Sequence, residues 1–147
     1  MTLPPYETQD VTFPSGQNTL VGRLFVPRGD SHIPVIIYVE GSGDGNTNAS
    51  PHVRAIAKGF TKEHIGLFSF NKPGNAGSSG LPTDDFIARA LDVISAYRYL
   101  ASLPTIDTMN IGLYGISQAG WVVPHACSSL TNLPCIILVS PAGISPF

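Results

Sequence analysis

The sequence is poor in charge and in cysteine. Charged residues make up 12% of the 147, and the net charge is −2. That balance excludes a general basic footprint for nucleic acid. The two cysteines, Cys127 and Cys135, are too few for a disulfide framework. Both lie in apolar surroundings and read as buried free thiols. No apolar run approaches the roughly 18 residues of a membrane span. The opening Met1-Thr-Leu-Pro-Pro-Tyr-Glu7 lacks the basic start and apolar core of a signal peptide. The expected location is cytoplasmic, with no membrane partner. His, Cys and acidic residues do not cluster at ligand spacing, so neither a metal nor a cofactor is expected. Beyond position 117 there is no Asp or Glu, and His125 is the sole histidine.

What is present is apolar and loop-rich. Hydrophobic residues make up 43%, in dense runs, with 15 Gly and 13 Pro. Such a chain is globular rather than disordered, and its length predicts a single domain over 1–147. Val11–Phe13 and Thr19–Val26, around Pro14-Ser-Gly-Gln-Asn18, read as a β-hairpin. Arg28-Gly-Asp30 reads as part of a turn rather than an adhesion motif. Asn48-Ala-Ser50 matches a glycosylation acceptor but is discounted, since Pro51 follows it.

Val35–Val39 is a continuous β-branched and aromatic run, as in a parallel strand buried on both faces. A helix follows, with Ser50 as candidate cap, Pro51 in its first turn, and Val53, Ile56, Ala57 and Phe60 on one face. Ile65–Phe70 is the next strand. The long helix runs from Asp84 or Asp85 to about Leu103, with an expected inward stripe of Ile87, Ala90, Leu91, Ile94, Tyr97 and Leu100. Strand Ile111–Tyr114, a helix from Ser117 to about Ser129, and strand 135–139 complete the series. This alternation predicts an α/β fold. Its sheet is mostly parallel, with about six strands, an N-terminal antiparallel hairpin and helices on both faces.

The chemistry centres on Gly115-Ile-Ser-Gln-Ala119, a strand–turn–helix corner of the G-x-S-x-small type. Gly115 and Ala119 keep that corner clear, Ser117 is the candidate nucleophile, and the helix N-terminus behind it favours negative charge. Loops 40–49, 71–83 and 115–118 leave the carboxyl edge of the sheet, where such folds bind ligands. The Gln118 N–H, with that of Ser42 or Gly43, is the candidate oxyanion hole. The loop Gly74–Gly80 lacks phosphate-loop spacing. A doubly wound flavin or nucleotide domain is therefore a weaker reading.

Val35–Gly45, Asn71–Ser79, Asn110–Pro124 and Ile136–Gly143 together resemble the N-terminal half of an α/β hydrolase. More narrowly, they resemble dienelactone-hydrolase-like and serine-aminopeptidase-like enzymes. The sharpest match is Ser117-Gln-Ala-Gly-Trp-Val-Val-Pro124. Four positions depart from the family pattern. Glu40 stands where a His usually precedes the oxyanion glycines, Asn71 and Pro73 replace Asp and Arg, and Ile116 replaces the His before the serine. The resemblance implies a serine hydrolase of esters, thioesters or amides, with a small acyl substrate. It also implies further strands carrying the acid and the histidine beyond residue 147.

His125, eight positions after Ser117, lies about 12 Å along a helix axis and is out of reach. It is expected to pack against the sheet. His32 and His64 should lie at the opposite edge. His52, with Glu40 or Asp44 and with Asp84 near the same edge, offers a rewired base and acid; a solvated first-turn His52 is the competing expectation. A truncated α/β-hydrolase fold would leave 135–139 as an exposed apolar edge that invites self-association. The alternative function is a non-catalytic hydrolase-like module that binds an acyl ligand or a partner chain.

Overall fold

The computed structural model describes residues 3–141. The last part of the expected Ile136–Gly143 match therefore lies outside the described residues. The chain opens with a hairpin of β1 (Tyr6–Ser15) and β2 (Asn18–Pro27), followed by β3 (Ile33–Val39), α1 (Pro51–Lys62) and β4 (Gly66–Phe70). Then come α2 (Phe86–Ala101), β5 (Ile106–Ile116), α3 (Ala119–Cys127) and β6 (Ile136–Val139). A short 3-10 turn at Thr47–Ala49 precedes α1.

The strands form one sheet in the order β1-β2-β4-β3-β5-β6. The hairpin and the β2–β4 pair are antiparallel, while β3–β4, β3–β5 and β5–β6 are parallel. The carboxyl ends of β3, β4 and β5 thus share one edge, and the loops that follow them converge there. The β-branched and aromatic runs of β3 and β4 form strands because helices cover both of their faces. Every residue of β4 is buried. On one face, α1 packs Val53 and Ala57 onto Phe25, Ile36, Tyr38 and Leu67. On the other, α2 and α3 pack Val93, Leu100 and Val122 onto Leu24, Ile37, Phe68 and Leu113. Among the described residues, no helix is long and apolar enough to cross a membrane.

The buried stripe of α2 differs from the expected one. Ala90, Ile94 and Leu100 are buried, but so are Arg89, Asp92, Val93 and Ala96, while Ile87 and Leu91 are 63% and 57% exposed. Apolar residues surround this helix, so spacing alone did not select its inner face. Asp85 caps it, accepting hydrogen bonds from the N–H groups of Ile87 at 2.8 Å and Ala88 at 3.0 Å. Asp85→Ala is expected to lower stability by about 1 kcal/mol in urea unfolding.

β5 begins five residues before the expected Ile111, and a bulge opposite Ile33 and Val35 absorbs the extra length. α3 begins two residues after the serine, which sits in the turn. On α3, positions 119, 122, 123 and 126 face the core. The helical period therefore turns His125 outward, and it is exposed rather than packed on the sheet. Cys135 is exposed and Cys127 half-buried, which corrects the expectation of two buried thiols. Burial raises the Cys127 pKa.

Candidate active site

The corner between β5 and α3 has the tight geometry its sequence requires. Ser117 adopts φ +52°, a left-handed conformation that non-glycine residues seldom hold. Two hydrogen bonds fix that backbone. Its N–H donates to Val139 O at 3.0 Å, and its carbonyl accepts from Gly120 N–H at 2.9 Å. A Cβ on Gly115 would come within 2.8 Å of Val123 Cγ2 and 3.2 Å of Ala119 Cβ. The strand and helix therefore approach too closely for a side chain there. Ser117 itself is exposed to solvent.

The loop after β3 lies directly against this corner. A Cβ on Gly41 would sit 3.0 Å from Ile116 O, 3.1 Å from Ser117 Cβ and 3.6 Å from Gln118 N. The loop residues Ser42 and Gly43 are exposed. α3 has no side-chain cap hydrogen bond at its N-terminus.

Two buried cations hold this loop, and sequence reasoning missed both. Arg89, on α2, is 4% exposed. Its Nη1 donates to Gln118 Oε1 at 2.5 Å, and its Nη2 to Gly41 O at 3.2 Å and to Glu40 O. Lys72 Nζ donates to Gly41 O at 3.3 Å and to Gly43 O. Burial lowers the pKa of both groups, and Arg89 lowers that of Lys72 further. The sequence did carry a signal. Arg89 is three residues after Phe86 and four before Val93, on the face that packs inward. Burial also raises the pKa of the neighbouring Asp92, whose carboxylate accepts from Ser15 Oγ at 2.5 Å.

A network of amides steadies the same edge. Asn71 Oδ1 accepts from Asn48 N–H at 3.2 Å, and Asn75 Oδ1 from Gly45 N–H at 2.7 Å. Asn48 is itself buried, with Nδ2 donating to Val21 O and Oδ1 accepting from Ser69 Oγ. That amide has no room for a glycan, in keeping with the discounted acceptor motif. Between the loops lies a polar recess of about 180 Å³, lined by residues including Gly43, Asp44, Lys72, Asn75 and Asp84. Ser117 does not line it.

Among the described residues, no hydrogen bond joins His52 to Glu40, Asp44 or Ser117. His52 is exposed at the start of α1, its ring edge-on to Tyr38 with centroids 6.2 Å apart. The Glu40 carboxylate accepts from Thr47 Oγ1, and that of Asp44 from Asn75 Nδ2 at 3.3 Å. Burial pushes the Tyr38 pKa up to about 12, with the charge on Glu40 adding to the effect. The histidine–carboxylate contact among the described residues joins His64 Nδ1 to Asp30 Oδ2 at 2.7 Å, away from the serine. Arg28 pairs with Glu7 at 2.6 Å. Both charged side chains of Arg28-Gly-Asp30 are thus engaged within the chain, and the backbone at Arg28 and Gly29 forms a turn. No group of three or more potential metal ligands occurs among the described residues.

This sheet order, with a serine on the β5–α3 corner, is the fold of the α/β hydrolases. Its solved neighbours include the α/β hydrolase GrgF from Penicillium sp. sh18, at 25% identity and a TM-score of 0.79, over 92% of this chain and 46% of that one. DcsB, solved with a substrate analogue, superposes with a TM-score of 0.79 at 22% identity, over 92% of this chain and 45% of that one. Among curated proteins, a thiohydrolase of Eupenicillium brefeldianum is 28% identical over 131 residues, 87% of this chain and 41% of that protein. The chain thus spans under half the length of these relatives. No protein-family model matches it.

Proposed function

We propose that this chain carries the nucleophile and oxyanion-hole portion of a serine hydrolase acting on ester, thioester or amide bonds. Ser117 is the nucleophile. Gln118 N–H and the N–H of Ser42 or Gly43 are the donors to the developing oxyanion. The observation that carries this reading is the left-handed Ser117 at a strand–helix corner, against which the Gly41 loop is packed. Donors held in place before reaction stabilise the tetrahedral intermediate at little reorganisation cost. The thiohydrolase relative favours thioesters within this substrate class.

Attack by Ser117 Oγ on the carbonyl carbon requires a base to accept the hydroxyl proton. In the fold order Ser, acid, His, that base follows the serine, and the histidine available there, His125, faces outward on α3. On the ligand-binding edge, the carboxylates of Glu40 and Asp44 are engaged by Thr47 and Asn75, and among the described residues His52 makes no hydrogen bond to Ser117. The base is accordingly proposed to come from outside these 147 residues, from further sequence or from a partner chain. A second reading, a hydrolase-like module that binds an acyl ligand without turnover, is favoured by the engagement of Glu40 and Asp44 with Thr47 and Asn75.

Fluorophosphonate labelling separates the two readings. An activated serine gives covalent labelling that maps to the peptide containing Ser117 and disappears in Ser117→Ala. Labelling no faster than that of surface serines would sink the hydrolase reading for this chain.

A further inference from the structure

We propose that Arg89 is a positioning residue, tying the Glu40–Ser42 loop to the corner residue Gln118 and thereby fixing the loop's N–H donors relative to Ser117. Three features of this arginine support the role. It comes from α2, which contributes no loop to the site. It is 4% exposed, yet its acceptors are neutral oxygens, namely Gln118 Oε1, Gly41 O and Glu40 O. These acceptors belong to two segments 77 positions apart, since Gln118 follows Gly41 by that interval. A buried cation without a bonded carboxylate is a costly way to gain stability. What the planar guanidinium does well is span two segments in a fixed geometry.

Peptide geometry turns that grip into an orientation. In a trans peptide the carbonyl and the next residue's N–H point in opposite directions. Drawing the Gly41 carbonyl towards Arg89 therefore directs the Ser42 N–H away from it. Lys72 reinforces this from the loop after β4, holding Gly41 O and Gly43 O. Gly41 meanwhile abuts Ser117 with no side chain between them. The loop is fixed by contact on one side and by two cations on the other. The catalytic consequence rests on the acyl-transfer reading above; the loop-holding role does not.

The test compares the full 147-residue chain with Arg89→Met and Arg89→Lys. The first keeps the apolar stem without donors; the second keeps the charge but loses the planar fork that holds the two segments in a fixed geometry. Amide exchange followed by NMR is expected to quicken about tenfold or more at Gly41, Ser42 and Gly43 in both variants. Protection in Ile36–Val39 should be retained. The rate constant for fluorophosphonate reaction at Ser117 is expected to fall about 100-fold in Arg89→Met, the scale of a lost oxyanion donor, with probe affinity unchanged. Should Arg89→Met not fold, Arg89→Lys carries the same expectation for exchange. Unchanged loop exchange in a folded variant overturns the proposal. Looser loop amides in a chain whose serine never labels uphold the positioning role and remove the hydrolase reading instead.

Discussion

Ser117→Gly is expected to abolish fluorophosphonate labelling and, in the same substitution, to make the folded chain more stable. The serine holds φ +52°, a region that costs an L-residue roughly 1–2 kcal/mol and glycine very little. Glycine loses more freedom on folding, which offsets roughly 0.5–1 kcal/mol of that relief. The net gain is about 1 kcal/mol. Ser117→Ala supplies the control. It also loses labelling, but its Cβ keeps the strain, so it should unfold close to the unsubstituted chain. The comparison to make is the urea midpoint of Ser117→Gly against that of Ser117→Ala. Equal midpoints would mean that the corner stores no strain. The expected order is that of a residue kept in a poor conformation by the hydrogen bonds to Val139 and Gly120 because its position there is useful.

Gly115→Val should destabilise the chain by about 3 kcal/mol, the upper end of the usual range for overpacking. Strand propensity argues the other way. Valine suits a central parallel strand, and the propensity scale spans about 1 kcal/mol. Packing wins, because a Cβ at this position would lie 2.8 Å from Val123 Cγ2 and 3.2 Å from Leu138 Cδ2. Val123 is fully buried, so it has nowhere to move. Val123→Ala removes the atom in conflict. In the double variant, a coupling energy of about 1–2 kcal/mol in favour of folding is expected. Strict additivity of the two costs would mean that the loss arises elsewhere in the corner. The same variant should also label slowly, since α3 must shift to accommodate the valine.

Much of this architecture was legible in the sequence, for reasons that differ between elements. Val35–Val39 of β3 is a continuous apolar run, and β4 is apolar but for Ser69; both have lengths that suit strands, and burial on both faces needs no alternation to be recognised. The serine corner was legible because its steric demand falls on Gly115 and Ala119, two positions fixed by sequence spacing. The inner face of α2 was not. Ile87 and Leu91 are exposed, while Arg89 and Asp92 are buried, because the loop after β3 and Gln118 offer oxygens to Arg89 and β1 offers Ser15 to Asp92. Polarity is a poor guide to burial when hydrogen-bond partners arrive from distant segments. The same reason concealed Lys72 and the Asn48–Asn71 pair, whose partners are set by how loops meet in space. The apolar surroundings of Cys135 and the helical place of His125 say nothing about the direction in which one residue points.

The Ser117 N–H donates to Val139 O, so the reactive residue is anchored to β6. Among the described residues β6 pairs only with β5, and Ile136 and Leu138 on it are 47% and 38% exposed. The carbonyl that anchors the serine thus belongs to a strand that, among the described residues, is paired on one lateral side. A chain added to that side, whether further sequence or a second copy, would stiffen the strand from which the serine hangs. The backbone amide of Ser117 would then act as a gauge of assembly, reporting in its exchange rate whether the sheet has been extended.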